Sequence, residues 1–124
     1  MNKINPEMKK VIEEQRLCYI ATASSDGRPN VSPKGSIVYI DGKTLAFAAV
    51  RSEKTLRNLD ENSAIAAAVL DVTQRQGYQF KGRATKVSEG EIYRQVLDPL
   101  KKRLPNLPPV QAVIVINVEE VYSF

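Results

Sequence analysis

Two short stretches of this chain collect groups that bind anions. One is Ser32-Pro33-Lys34-Gly35-Ser36, and the other is Arg51-Ser52-Glu53-Lys54-Thr55, at the start of a helical pattern. Each combines a lysine and hydroxyls with either a glycine or a helix start. A helix N-terminus offers unpaired backbone N–H groups and a partial positive charge, which suits phosphate. Lys34, Lys54 and Arg51 add full charge, and Ser32, Ser52 and Thr55 add hydroxyl donors. Charge-assisted hydrogen bonds contribute roughly 1.5–3 kcal/mol each, so three or four hold a phosphate monoester firmly. Alone, Ser52 reads as a plain helix cap and either lysine as a solvated charge. The phosphate reading requires the two stretches to meet.

A hairpin is the expected means. Asp41-Gly42 is a strong turn signal, and sequential strands usually pair. Counting outward from that turn sets Ser32 opposite Arg51 and brings Lys34 near Ala49. Between them, Ala46 to Val50 is small and apolar apart from Phe47. That run offers either a flat surface for a planar ring or plain barrel core.

The elements that must position these groups follow from pattern. NPEMKKVIEEQR reads as a helix, with Asn5 as cap, Pro6 at the first helical position and Met8, Val11 and Ile12 on one face. LCYIATAS, PNVSPKGSIVYI and KTLAFAAV read as three strands, the second interrupted at Pro33-Lys34-Gly35, where a bulge or a close backbone approach is expected. The helix after Ser52 carries Leu56 and Leu59 on one side. SAIAAAVLDV and YQFKGRATKV read as strands, the latter with Tyr78, Phe80 and Gly82 opposite Gln79, Lys81 and Arg83. EGEIYRQVLD is helical and is expected to break or kink at Asp98-Pro99, before a proline-rich loop and a final strand, VQAVIVINVEEVYSF. Few helices among hairpin-spaced strands indicate a mainly β fold, an antiparallel sheet curled into a small barrel. The 124 residues make one domain, with a helix over 1–16 and a helix-and-loop insertion over 89–109.

Composition narrows the chemistry. Hydrophobic content of 43% with 26% charged residues is that of a globular chain, so wholesale disorder is not expected. No apolar run spans a bilayer, and the polar N-terminus lacks a signal-peptide core, so a soluble, cytoplasmic protein is expected. Histidine is absent, which removes His-based triads, His zinc ligands and a proximal haem histidine together; no metal site is expected. The lone Cys18 reads as a small buried apolar side chain. A net charge of +4 suits an anionic ligand, whether nucleic acid or a phosphorylated small molecule.

The run LCYIATASSDGRPNVSPKGSIVYIDGKTLAFAAVRSEKTLRNLDENSAIAAAVLD, with GYQFKGRATKV after it, resembles the FMN-binding split-barrel proteins related to pyridoxamine 5'-phosphate oxidase. The resemblance runs from Leu17 to Val87 and takes in the closing strand, Ala112 to Phe124. It implies a six-stranded antiparallel barrel that forms a homodimer, with one FMN in each of two interface clefts. By position, Lys54 and Thr55 match the phosphate-binding pair, and Ser32, Pro33, Lys34 and Gly35 match the strand across from it. The backbone at Ala49, Val50 and Arg51 would run along the flavin edge. Gln79 and Lys81 would make contacts near the ring or across the dimer.

The chain also departs from that family. It is much shorter than the true oxidases and ends without their substrate-binding region carrying Arg and His, so pyridoxamine-phosphate oxidation is not expected. Haem-degrading relatives need an axial histidine and are disfavoured likewise. The leading reading is a flavin-dependent oxidoreductase or electron carrier of unassigned substrate. Two alternatives stand beside it: the same fold holding the deazaflavin F420, and an OB-fold binding single-stranded nucleic acid through RQGYQFKGRATK. Against the last, alternation sets Tyr78 and Phe80 on the face opposite Lys81 and Arg83. Dimerisation has its own support, since AVIVI and SAIAAAV supply more apolar strand faces than one small core hides.

Overall fold

The computed structural model of the chain describes residues 3–124, so residues 1 and 2 of the expected N-terminal segment lie outside the described residues. The elements in chain order are α1 (Pro6–Gln15), β1 (Cys18–Ala23), β2 (Pro29–Lys34), β3 (Val38–Asp41), β4 (Thr44–Ala49), α2 (Glu53–Glu61), β5 (Ala64–Asp71), β6 (Gln76–Val87), α3 (Glu91–Arg103) and β7 (Ala112–Ser123). All seven strands form one antiparallel sheet in the order β2-β1-β5-β6-β7-β4-β3.

That order dictates the shape. β2 and β3 are consecutive in the chain yet stand at opposite edges of the sheet. At the usual strand spacing a flat sheet of this order would set its edges about 29 Å apart. The four steps from Lys34 to Val38 reach at most about 14 Å. The sheet must therefore curl until its edges nearly meet, and only Gly35–Ile37 bridge the gap. β2 and β3 share no ladder, so the curl is open along that line.

This corrects the expected six strands. PNVSPKGSIVYI is two strands rather than one interrupted strand, because the chain leaves one edge at Lys34 and joins the other at Val38. Pro33 fits β2 since an edge strand needs fewer ladder donors. The hairpin register is also shifted: Val38 pairs with Ala46 and Tyr39 with Leu45, while β2 pairs with β1 alone, Ser32 opposite Ile20 and Lys34 opposite Cys18. Ser32 and Arg51 are therefore not hairpin partners.

Inside the curl, Ile20, Leu45, Phe47, Val69, Phe80 and Ile116 form the main core, plugged by Val11 and Ile12 of α1. α1 begins as expected, with the Met8 N–H donating to Asn5 Oδ1 at 2.9 Å. Outside it, Val96, Leu97 and Leu100 of α3 pack on Ala46, Ala48 and Val113. β4 is thus buried on both faces, and its outward alanines let the helix sit close. The small stretch from Ala46 is covered by α3 rather than left as an open platform. α3 also runs through Pro99 to Arg103 instead of breaking there. The apolar face of Val96, Leu97 and Leu100 anchors both sides of the proline, at the cost of one helical hydrogen bond.

A bulge interrupts the β6–β7 ladder between Lys81 and Gly82, where β7 carries one extra residue, Glu119. A Cβ at Gly82 would stand 1.9 Å from the Asn117 carbonyl oxygen, so only glycine permits that approach. No helix among the described residues is long and apolar enough to cross a membrane.

Candidate functional site

The two anion-binding stretches do meet, by a different route from a shared hairpin. Curling the sheet brings the end of β2 against the start of α2, where Lys34 Nζ donates to Ser52 Oγ at 2.6 Å. Ser32 Oγ and Thr55 Oγ1 lie 3.3 Å apart one turn further in. The pairings are thus Lys34 with Ser52 and Ser32 with Thr55, rather than Ser32 with Arg51 and Lys34 with Ala49.

Ser52 does not act as a helix cap. Its hydroxyl makes no capping bond; it donates to the Val50 carbonyl at 3.0 Å and accepts from Lys34. The Ser52 N–H donates to Gln111 Oε1 at 2.8 Å, and the Gln111 N–H donates to the Ala49 carbonyl at 2.8 Å. Gln111, just before β7, thereby clamps the turn that launches α2. In the first turn the N–H groups of Glu53, Lys54 and Thr55 precede the first intrahelical bond, from Leu56 to Ser52. Arg51 holds this turn in the left-handed region at φ 51°, with its side chain exposed.

Electrostatically, Lys34 is the unusual member. It is only 9% exposed, and among the described residues the one ion pair is Lys86 with Asp60, so no carboxylate neutralises it by contact. Burial pushes its pKa below the ordinary 10.5, with Cys18 and Glu53 pulling weakly the other way. Cys18, its register partner, is buried and pushed up to about 12, so its thiol stays protonated and inert. A buried ammonium without a counter-ion, beside uncapped helix N–H groups, is the donor set of an anion site. Lys54 and Arg51 are exposed at its mouth.

Beside this donor set lies a cavity of about 180 Å³. Pro33, Lys34 and Gly35 form one wall, Ala48 and Val50 another, and Leu104 and Leu107 the apolar lid. Ser36 belongs to it too, its hydroxyl accepting the Ala48 N–H at 2.9 Å just beyond the end of the β3–β4 ladder. Ala49 does not line it: its side chain is in the main core and its carbonyl is taken by Gln111. Gln79 and Lys81 are elsewhere. The register runs Pro33–Tyr19–Ala68–Gln79, three strands across the outer face and about 14 Å away. Tyr78 and Phe80 are buried, so they offer no stacking platform for bases.

Ser36 belongs to one of the two stretches read from sequence, whereas Gln111 was not singled out there. Nothing local connects Gln111 to Ser52, 59 positions away.

Comparison with known proteins matches residues 4–124 to a family described as pyridoxamine 5'-phosphate oxidase. The chain is 36% identical to the uncharacterized protein MJ0282 of Methanocaldococcus jannaschii, over 98% of this chain and 80% of that one. The crystal structure of HupZ from Group A Streptococcus superposes with a TM-score of 0.84 at 32% identity, covering 98% of this chain and 94% of that one. An FMN-binding protein of Syntrophomonas wolfei shares the fold at a TM-score of 0.75 and 20% identity, over 93% of this chain and 82% of that one.

Proposed function

The chain belongs to the pyridoxamine 5'-phosphate oxidase family, and from that premise we propose that it is a flavin-binding oxidoreductase or electron carrier whose cofactor phosphate sits at the start of α2. The observation that carries this reading is the Lys34–Ser52 contact at 2.6 Å, which brings a buried ammonium to an uncapped helix N-terminus. Lys34, Lys54 and the first-turn N–H groups would hold the phosphate, with Arg51 at the rim. FMN fits this donor set, and the S. wolfei relative binds it. When bound, the flavin would supply hydride or electron transfer. The chain's own part is to bind, orient and shield it: Lys34 supplies charge in a water-poor place, Gln111 fixes the turn, and Leu104 and Leu107 close the cavity.

A homodimer is part of the proposal. About 180 Å³ is too little to enclose an FMN, since ligand pockets of that class run to roughly 300–1,000 Å³. Tyr19, Val31, Leu70 and Tyr122 leave one sheet face apolar and exposed, with Gln79 and Lys81 on the same face. A second copy packed there would bury that face and carry Gln79 and Lys81 to its partner's cofactor.

The deciding experiment is visible absorbance after incubation with FMN and gel filtration, with F420 in parallel. One equivalent of FMN per chain, eluting at dimer size, is expected. Lys34→Met combined with Lys54→Ala should lose it while far-UV circular dichroism stays unchanged. Full occupancy in that double variant would put the phosphate elsewhere, and retention of F420 alone would change the cofactor.

A further inference from the structure

A second and larger cavity, about 730 Å³, lies between the C-terminal end of α1, β3 and α3. Two consecutive residues of β3, Val38 and Tyr39, line it together with Ser36 and Ile37 of the crossing that precedes the strand. Side chains alternate faces along a strand, so a consecutive run lines a cleft only when the cleft faces the strand's edge. β3 is the last strand in the sheet order. Its outward N–H and C=O groups are therefore open to whatever occupies the cleft.

The cleft is basic at its rim and apolar on its floor. Arg16 of the α1 cap and Lys102 and Arg103 of α3 line it, against the single carboxylate of Glu13. Among the described residues none of these three cations forms an ion pair. Ile37, Val96 and Leu100 supply a buried apolar floor. Pro99 has no N–H to give the Gln95 carbonyl, and both residues line the cleft, so an acceptor is left on that wall.

We propose that this cleft binds a second small molecule: an aromatic carboxylate, its ring on the apolar floor and its anionic group among Arg16, Lys102 and Arg103. The site is separate from the donor set at α2, though Ser36 and Leu100 line both cavities and set the two side by side. A molecule here would lie next to the cavity beneath Leu104. The proposal stands on the cleft alone and does not require that a flavin be bound.

The test titrates the purified chain, with and without FMN, using 2-naphthoate and its uncharged analogue 2-naphthylmethanol. Probe fluorescence gives affinity, and backbone amide shifts give location. The naphthoate should saturate at one per chain, move the amides of Ile37 to Tyr39, and bind at least tenfold more tightly than the alcohol. Lys102→Glu with Arg103→Glu, both on the exposed side of α3, should erase that difference and leave the alcohol unaffected. Raising salt should weaken the naphthoate alone. Equal affinities, shifts confined elsewhere, no saturation at millimolar probe, or indifference to the charge reversal would each overturn the proposal.

Discussion

The start of α2 and the cleft along β3 are both rich in cations, yet they are held in opposite ways. At α2 the ammonium of Lys34 is buried, and Ser52, Thr55, Ser32 and Gln111 are tied into hydrogen bonds before any ligand arrives. Along β3, Arg16, Lys102 and Arg103 are exposed and free of ion pairs among the described residues. Fixed, desolvated donors favour one shape of anion and resist salt. Long exposed side chains offer a field that many anions satisfy and that salt screens. The first region carries its cost in folding, and the second defers it to binding.

One substitution should break both regions together. Gly82→Ala forces a Cβ into the Asn117 carbonyl and pushes β6 and β7 apart beside the bulge. The expected loss is about 3 kcal/mol of stability, the upper end of the usual overpacking range, because backbone rather than a side chain must yield. Urea denaturation measures it, and loss of both naphthoate and flavin binding should accompany it. A variant within 0.5 kcal/mol of the parent, a surface-like result, would mean that the bulge is not needed.

Ser52→Ala separates the regions. It leaves the Lys34 ammonium without its acceptor, so about 1.5–3 kcal/mol should be lost, whereas removing a mere cap would cost about 1 kcal/mol. Binding in the cleft should be unaltered. Lys34→Met sharpens the contrast further, because it removes the buried charge itself. Burial holds the Lys34 pKa below 10.5, so between the two values the unfolded chain binds its proton more readily than the folded one. The stability tied to this group therefore rises with pH across that interval and is lost as pH falls through the folded value. Lys34→Met should be at least as stable as the parent at pH 7, with its advantage shrinking toward pH 10.5, and should bind FMN at least tenfold more weakly. A pH-independent difference would mean that Lys34 keeps its ordinary proton affinity.

What was legible in the sequence divides along the same line. Helix α1, the Asp41-Gly42 turn and the alternation of Tyr78 and Phe80 with Lys81 and Arg83 are local patterns, and each appears where its residues predict it. That the two anion-binding stretches meet follows from a hairpin count, but that count pairs Ser32 with Arg51 and Lys34 with Ala49, where the structure pairs Lys34 with Ser52 and Ser32 with Thr55. A three-residue crossing between opposite sheet edges has no signature that separates it from a bulge, so the strand count came out one short. The Gln111 clamp depends on a contact across 59 positions, and the cleft depends on α3 surviving Pro99. Neither is encoded in any window of adjacent residues.

The smallest effects come from three arginines. Arg51 at the α2 turn, Arg16 in the cleft and Arg75 in the turn between β5 and β6 all adopt φ between 51° and 58°, where glycine is at ease. Left-handed backbone costs an L-residue roughly 1–2 kcal/mol, partly offset because glycine gains freedom in the unfolded chain. Each Arg→Gly change should thus leave stability within about 1 kcal/mol of the parent or slightly above it. Arg75, which lines neither cavity, serves as the control that measures bare relief of strain. If the two regions are distinct anion sites, Arg51→Gly should weaken only FMN and Arg16→Gly only naphthoate, with Arg75→Gly changing neither. Parallel titrations of the three variants with both probes read this directly. Crossed effects would merge the cavities into one continuous site, with Ser36 and Leu100 as its shared wall rather than its divider.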